Sequence, residues 1–133
     1  MKLNTGWALP VVILAGALSM AGATGGGMDP DQQALPAGVT QAMIDQGKTL
    51  FHGPALCSSC HGENGVGTAI GPKFDDQVWL HSDGTYPAIL ETIKVGVTTP
   101  KESMIPMLAK GGSGITDDQA AQVAAYVWRL SHP

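Results

Sequence analysis

The chain has 133 residues, of which 44 % are apolar and 14 % are charged, so it is long enough for one buried core and too apolar for a disordered protein. Its 7 basic and 11 acidic side chains give a net charge of −4. This balance excludes nucleic acid and anionic lipid as favoured partners, because binding either one requires a basic surface that displaces counterions.

Residues 1–23 differ in composition from the rest of the chain. Lys2 precedes an apolar run over residues 7–20, and Ala21-Gly22-Ala23 has the small side chains of a signal-peptidase site. We therefore predict a signal peptide over residues 1–23, export to the periplasm, and no stable membrane insertion after cleavage. The alternative is an uncleaved membrane anchor, since the apolar run is near the shortest length that spans a bilayer.

Residues 24–36 are rich in glycine, proline and glutamine, which predicts a flexible leader. The folded domain is predicted to occupy residues 37–133. Thr40 is the expected cap of a first helix over residues 41–51, whose apolar side chains share one face.

Cys57-Ser58-Ser59-Cys60-His61 follows this helix and contains the only two cysteines of the chain. Two thiols at this spacing, with histidine directly after them, form the attachment sequence of a c-type haem, in which the imidazole binds the iron. A redox disulfide and a zinc site are the alternatives. The first occurs after a strand and the second needs further paired ligands, and the sequence shows neither pattern. We therefore predict one covalently bound haem c with His61 as its first axial ligand.

Loop-forming residues follow the attachment motif. Closely spaced glycines and a proline predict a loop over residues 62–72, and residues 75–80 are expected to form a helical turn. Thr85 is the expected cap of a second long helix, which carries Ile89, Leu90, Ile93 and Val95 inward and ends at Gly96.

The last helix has the clearest start signal in the chain. Thr116 is the expected cap, and Gln119 stands at the position that completes a capping box. The helix is expected to extend to about residue 130. Because every predicted element is helical, we predict the all-α fold class.

A haem iron bound by His61 has a second axial position, and the residue that fills it decides between electron transfer and ligand chemistry. The candidates in turns or loops are Met104, Met107, His52 and His81. A methionine thioether is neutral and soft, so it favours ferrous iron more than a second imidazole does.

Taken in order, these residues resemble the bacterial class I monohaem cytochromes c over residues 38–131. The segments that carry the resemblance are 47–51, 57–62, 71–72, 78–80, a methionine loop and 124–128. The resemblance implies three to five helices wrapped around one haem, with the first and last helices crossing where Gly47 and Phe51 meet Tyr126. It also implies that the Pro72 carbonyl orients the histidine ring and that Trp79 closes the haem pocket.

The methionine loop departs from the family pattern, in which proline usually follows the ligand. Residues 107–112 resemble the Met-Pro-x-Lys-Gly-Gly loop of several bacterial members with the proline lost, so a softer loop is expected. Counting back from Thr116, Met107 gives the loop length of those members, whereas Met104 requires three extra residues. The resemblance therefore implies Met107 as the distal ligand, with Met104 as the alternative.

The implied function is a one-electron relay that makes or breaks no substrate bond. Its implied partners are redox proteins: a donor dehydrogenase or bc1-type complex, and an acceptor oxidase or reductase. A second form of the same function is a haem subunit of a periplasmic dehydrogenase or terminal oxidase, because residues 78–80 resemble oxidase-associated haem domains. The rival from a different class is an enzyme, either a haem peroxidase or a thiol oxidoreductase that uses Cys57 and Cys60.

Overall fold

A computed structural model describes residues 34–133, and four α-helices connected by loops form its frame. The helices are α1 (Gln41–His52), α2 (Ser58–His61), α3 (Tyr86–Val95) and α4 (Asp117–Ser131). The predicted all-α class is therefore confirmed. The expected signal peptide and the leader as far as residue 33 lie outside the described residues. Within residues 34–133, every helix is too short or too polar to cross a bilayer.

Helix α1 begins at a side-chain cap and buries one face. The Thr40 hydroxyl accepts a hydrogen bond from the Met43 N–H at 3.2 Å, which satisfies one of the free amides of the first turn. The buried residues lie three or four positions apart on the predicted face: Ile44, Gly47, Leu50 and Phe51. Helix α1 therefore leads the chain to Cys57 with its apolar side against the core.

Helices α1 and α4 pack closely at Gly47. A β-carbon on Gly47 would lie 2.6 Å from the carbonyl carbon of Gln122 and 3.0 Å from the β-carbon of Tyr126, so only glycine permits this approach. One turn further on, the fully buried Phe51 ring meets the Tyr126 ring edge to face, with the centroids 5.3 Å apart. The first and last helices thus meet at the residues that the family resemblance implies.

The two later long helices begin where the sequence predicts. In α4, Thr116 and Gln119 form the predicted capping box, with hydrogen bonds of 3.2 Å and 2.9 Å. Helix α3 begins after Thr85, but the Thr85 hydroxyl donates to the Asp83 carboxylate at 2.7 Å instead of capping the helix. Pro87 lies in the first turn of α3, where a missing amide hydrogen costs no helical bond.

Two expectations near α3 are wrong. Residues 75–80 form bends and not a helical turn, because the Asp76 carboxylate accepts a hydrogen bond from the Val78 N–H at 3.0 Å and so competes with helical pairing. Val95 is 59 % exposed and does not turn inward. It follows the buried Ile93 by two positions, and residues two apart on a helix face different directions.

Replacing Gly47 by alanine tests the close packing of α1 on α4. We expect Gly47→Ala to lower the free energy of unfolding by about 1–3 kcal/mol, because the added methyl group forces the helices apart. Denaturant unfolding of the purified protein, followed by circular dichroism, measures the change. Gly114→Ala is the control, since a β-carbon at Gly114 has no neighbour within 4 Å. Equal stability of the two variants would contradict the role given to Gly47.

Candidate functional site

The predicted attachment motif forms a single helical turn. The amides of Cys60 and His61 both donate to the Cys57 carbonyl, at 3.2 Å and 2.9 Å. Leu56, directly before the turn, has a left-handed backbone with a φ of 58°, which redirects the chain after α1. The fold therefore brings both thiols and the imidazole together on one short segment.

The two thiols differ in their surroundings. Cys57 is half-buried and its Sγ lies 3.5 Å from the Ala55 carbonyl oxygen, whereas Cys60 is exposed, and both thiols are free. Burial raises the pKa of Cys57 to about 11, and the neighbouring Cys60 adds a smaller contribution in the same direction. A raised pKa keeps Cys57 protonated, which is opposite to the lowered pKa of the nucleophilic cysteine in dithiol enzymes.

The His61 ring is buried and directs one nitrogen at a backbone carbonyl. Its Nδ1 lies 2.8 Å from the carbonyl oxygen of Pro72. Because a carbonyl only accepts, Nδ1 carries the proton and Nε2 keeps its lone pair. Burial lowers the pKa of His61, and the bond to Pro72 opposes this effect. The ring is therefore a neutral imidazole whose Nε2 is available to a metal.

Aromatic contacts and a glycine fix the orientation of this ring. The Phe74 ring packs against His61 with the centroids 4.5 Å apart, and Trp79 stacks on Phe74 at 5.9 Å. A β-carbon on Gly71 would lie 2.8 Å from the carbonyl carbon of Cys60 and 3.1 Å from Nδ1 of His61, so the backbone at Cys60 leaves no room for a side chain beside the ring. The imidazole is thus held on its edge by backbone and on its face by Phe74.

A cavity of about 450 Å³ opens beside these residues, a volume typical of small-molecule and cofactor sites. Its wall is mainly apolar and draws on α1, α3 and α4 through Phe51, Ile93 and Val127. The predicted site residues that line it are Cys57, Cys60, His61, Pro72, Trp79 and Met107. The structure therefore gathers all the predicted site residues, apart from the alternative Met104, around one cavity.

The two candidate methionines are placed differently. Met107 lines the cavity and packs against the core, whereas Met104 is 100 % exposed. The Met107 backbone is held by Val97, whose N–H donates to the Met107 carbonyl at 2.8 Å and whose carbonyl accepts from the Met107 N–H at 3.0 Å. This geometry favours Met107 over Met104 as a metal ligand.

The two candidate histidines are engaged in other contacts. His52 places Nδ1 2.8 Å from the Lys48 carbonyl oxygen and Nε2 3.3 Å from the Glu63 carboxylate. His81 lines the cavity, but its Nε2 accepts a hydrogen bond from the Lys101 amide at 3.2 Å. These contacts disfavour both histidines as ligands in the cavity.

An ion-pair cluster connects the methionine loop to α3 and α4. Asp117, at the start of α4, lies 2.6 Å from Nζ of Lys110 on the methionine loop and 3.2 Å from Nζ of Lys94 on α3. Hydrogen bonds from Lys110 and then Lys94 lower the pKa of Asp117. Lys110 has a left-handed φ of 54°, which costs free energy in a residue other than glycine.

Sequence reasoning missed this cluster and the Phe74 contact with His61. The members of the cluster lie on three separate elements, and no spacing rule connects a lysine and an aspartate that meet only after folding. Phe74 is a single aromatic residue in a loop, where periodicity carries no information.

The residues of the cavity fit a covalently bound haem. Its apolar wall suits a flat macrocycle, and the two free thiols lie beside it at the spacing of the attachment motif. The Nε2 lone pair of His61 and the thioether of Met107 are both donors that haem iron accepts. His61 and Met107 would therefore bind the iron, and Cys57 and Cys60 would hold the macrocycle.

Comparison with known proteins points to the same cofactor. The family described as "Cytochrome c" matches residues 44–131. Over 75 residues the chain is 39 % identical to the Cbb3-type cytochrome c oxidase subunit CcoP of Rubrivivax gelatinosus, a match that covers 56 % of this chain and 22 % of that subunit. The chain therefore spans less than a quarter of the curated relative that it matches.

A solved structure is similar as well. Cytochrome cL from the marine methylotrophic bacterium Methylophaga aminisulfidivorans MPT matches with a TM-score of 0.51 and 24 % identity, over 67 % of this chain and 53 % of that one. At this identity the likeness shows the fold alone. It supports the arrangement of helices described above.

Replacing Asp117 by asparagine tests the ion-pair cluster. Because the pKa of Asp117 is lowered in the folded state, its stabilising contribution is fully present above the ordinary aspartate pKa of about 3.9. It is lost as the pH falls through the lower, folded-state pKa. We expect Asp117→Asn to be less stable than the wild type at pH 7, with the difference shrinking as the pH falls below the ordinary aspartate pKa. Urea unfolding at a series of pH values measures this dependence.

Asp118→Asn is the matched control for Asp117→Asn. Asp118 lies in the same helical turn and forms no ion pair with any residue of the described chain. We expect its effect on stability to be smaller at pH 7. Equal losses in the two variants would mean that the cluster does not stabilise the loop.

Proposed function

Because the chain belongs to the cytochrome c family, we propose that it is a periplasmic one-electron carrier whose haem iron is bound by His61 and Met107. The observation that carries this proposal is that both side chains line one apolar cavity together with the two cysteines of the attachment motif. When bound, the haem supplies the one-electron change between ferrous and ferric iron. The residues around it set the potential at which that change takes place.

His61 contributes a ligand that is fixed in both orientation and protonation. The bond from Nδ1 to the Pro72 carbonyl keeps the proton away from Nε2 and makes Nε2 more basic. Phe74 packs on the face of the ring and opposes its rotation. His61 can therefore keep the same geometry in both oxidation states.

Met107 contributes a neutral, soft ligand that favours ferrous iron and so raises the reduction potential. Both the N–H and the carbonyl of Met107 are hydrogen-bonded to Val97, and this pairing would hold the ligand in place while the haem supplies its one-electron change. The apolar wall of the cavity keeps water away, which also tunes the potential. These features suit repeated electron transfer.

We propose that the protein acts as a relay and not as an enzyme. His61, held at Nδ1 by Pro72, and Met107, held at its main chain by Val97, would both bind the haem iron, whereas a haem peroxidase needs an open position with acid–base groups beside it. The raised pKa of Cys57 is unfavourable for a thiol oxidoreductase. In the proposed carrier each of the two thiols forms a thioether bond to the haem and is no longer available for redox chemistry.

The partners proposed for this carrier are redox proteins: a donor dehydrogenase or bc1-type complex, and an acceptor oxidase or reductase. The 39 % identity to a Cbb3-type oxidase subunit favours a second candidate, a haem-bearing part of an oxidase or dehydrogenase complex. The two candidates differ in whether the protein binds its partner transiently or stays with it. Purification under mild conditions distinguishes them, because only the second predicts co-purification with a stable partner.

Separate replacement of the two methionines tests the ligand assignment. We expect Met107→Ala to lose the thioether-to-ferric-iron absorption band and to lower the reduction potential, because the soft ligand is gone. Met104→Ala is the matched control and should keep both properties, since that side chain is fully exposed. Spectra of the ferric proteins and redox titrations measure the two effects.

Survival of the band in Met107→Ala, together with its loss in Met104→Ala, would show that Met104 is the ligand.

A broader test concerns the cofactor itself. Mass spectrometry of the exported protein should find both Cys57 and Cys60 in a haem adduct. Free thiols or a disulfide at these positions would contradict the whole proposal.

The N-terminus of the purified protein tests the proposed export. Cleavage at the small-residue site predicts a mature chain that begins at Thr24 and is recovered from the periplasmic fraction. Replacing Ala21 and Ala23 by phenylalanine should block cleavage, because the peptidase site requires small side chains. A wild-type protein that keeps Met1 and stays with the membrane would support the anchor in place of the signal peptide.

A further inference from the structure

The junction between α3 and the methionine loop has an unusually close backbone contact. Gly96 ends α3, and its N–H donates to the Thr92 carbonyl at 2.8 Å while its φ is +77°. The next residue, Val97, forms the paired hydrogen bonds with Met107. The end of α3 is therefore joined directly to the backbone of the proposed ligand.

Gly96 allows this contact because it has no side chain. A β-carbon there would collide with the carbonyl oxygen of Met107 and would lie 2.9 Å from the carbonyl carbon of Leu108 and 2.8 Å from the nitrogen of Ala109. All three neighbours are backbone atoms, which cannot rotate away as the end of a flexible side chain can. Any side chain at position 96 must therefore displace the segment that carries Met107.

We propose that Gly96 and Val97 are positioning residues, which set the distance and direction of the Met107 thioether toward the cavity. The inference rests on the proposed function, in which Met107 is an iron ligand. Gly96 lets the methionine loop lie against the end of α3, and Val97 then holds Met107 through both its N–H and its carbonyl. This pairing restrains a loop in which leucine, and not proline, follows the methionine.

A simpler explanation is that position 96 needs glycine only for its left-handed backbone, as many helix ends do. Gly38 is the comparison for the positive φ. Its φ of +80° is nearly the same, but a β-carbon on Gly38 would meet nothing within 4 Å. Gly38→Ala therefore reports the cost of a positive φ at an open site, whereas Gly96→Ala adds the cost of a ψ of −171° and the collision with the methionine loop.

The experiment compares these two variants in the haem-loaded protein, using imidazole as a probe that competes with Met107 for ferric iron. We expect imidazole to bind Gly96→Ala roughly tenfold more tightly than the wild type, because a displaced backbone strains the iron–sulfur bond. The thioether-to-iron band should weaken in the same variant. Gly38→Ala should stay within about twofold of the wild type in imidazole Kd and keep the full band. Equal imidazole affinity in the two variants would overturn the inference.

Amide hydrogen exchange in the wild-type protein tests the Val97 pairing even if Gly96→Ala fails to fold. We expect the amides of Val97 and Met107 to be protected together, because each donates to the other residue. The Met104 amide donates no hydrogen bond within residues 34–133 and should exchange much faster. Exchange of the Met107 amide as fast as that of Met104 would also overturn the inference.

Failure of the proposed function would be seen in the wild-type protein itself, and not only in the variants. Absence of the thioether-to-iron band from the wild-type protein would show that methionine is not the ligand. A normal band in the wild type, with equal imidazole affinity in Gly96→Ala and Gly38→Ala, would leave the ligand assignment intact and remove only the positioning role.

Discussion

The contact of α1 with α4 at Gly47 is the constraint on which the rest of the structure depends. Helix α1 precedes the attachment turn, and α4 follows the methionine loop. The close approach of these helices therefore holds together the two parts of the chain that flank His61 and Met107. Because Gly47 brings the backbones close together, Phe51 and Tyr126 can pack in the core beside the cavity.

Backbone hydrogen bonds connect the loops around the cavity in addition to side-chain packing. The His61 carbonyl accepts from the Gly67 N–H at 2.7 Å, and the Phe74 N–H donates to the Gly65 carbonyl at 2.7 Å. Such bonds place no demand on side-chain identity, except where two backbones come so close that only glycine fits. Gly71 and Gly96 are two such positions.

Features with a local signal could be predicted from the sequence, and features that depend on distant pairing could not. The attachment motif, the buried face of α1 and the capping box at Thr116 each lie within a few residues, so spacing alone predicts them. Pro72 and Trp79 came from the family resemblance and not from any pattern. The Asp117 cluster and the pairing of Val97 with Met107 connect residues on separate elements, so no local pattern predicts them. The bend at Asp76 results from a side-chain hydrogen bond, which helix propensity does not reveal.

The ion pairs near the cavity also affect how another protein would approach this surface. Lys110 and Lys94 share Asp117, and Lys73 lies 2.7 Å from Asp76 beside the cavity wall. Lys73 and Asp76 neutralise each other, whereas two lysines against one aspartate leave a single net positive charge, which is screened beyond the Debye length of about 8 Å at physiological salt. An approaching molecule therefore meets far less positive charge from these residues than three unpaired lysines would present.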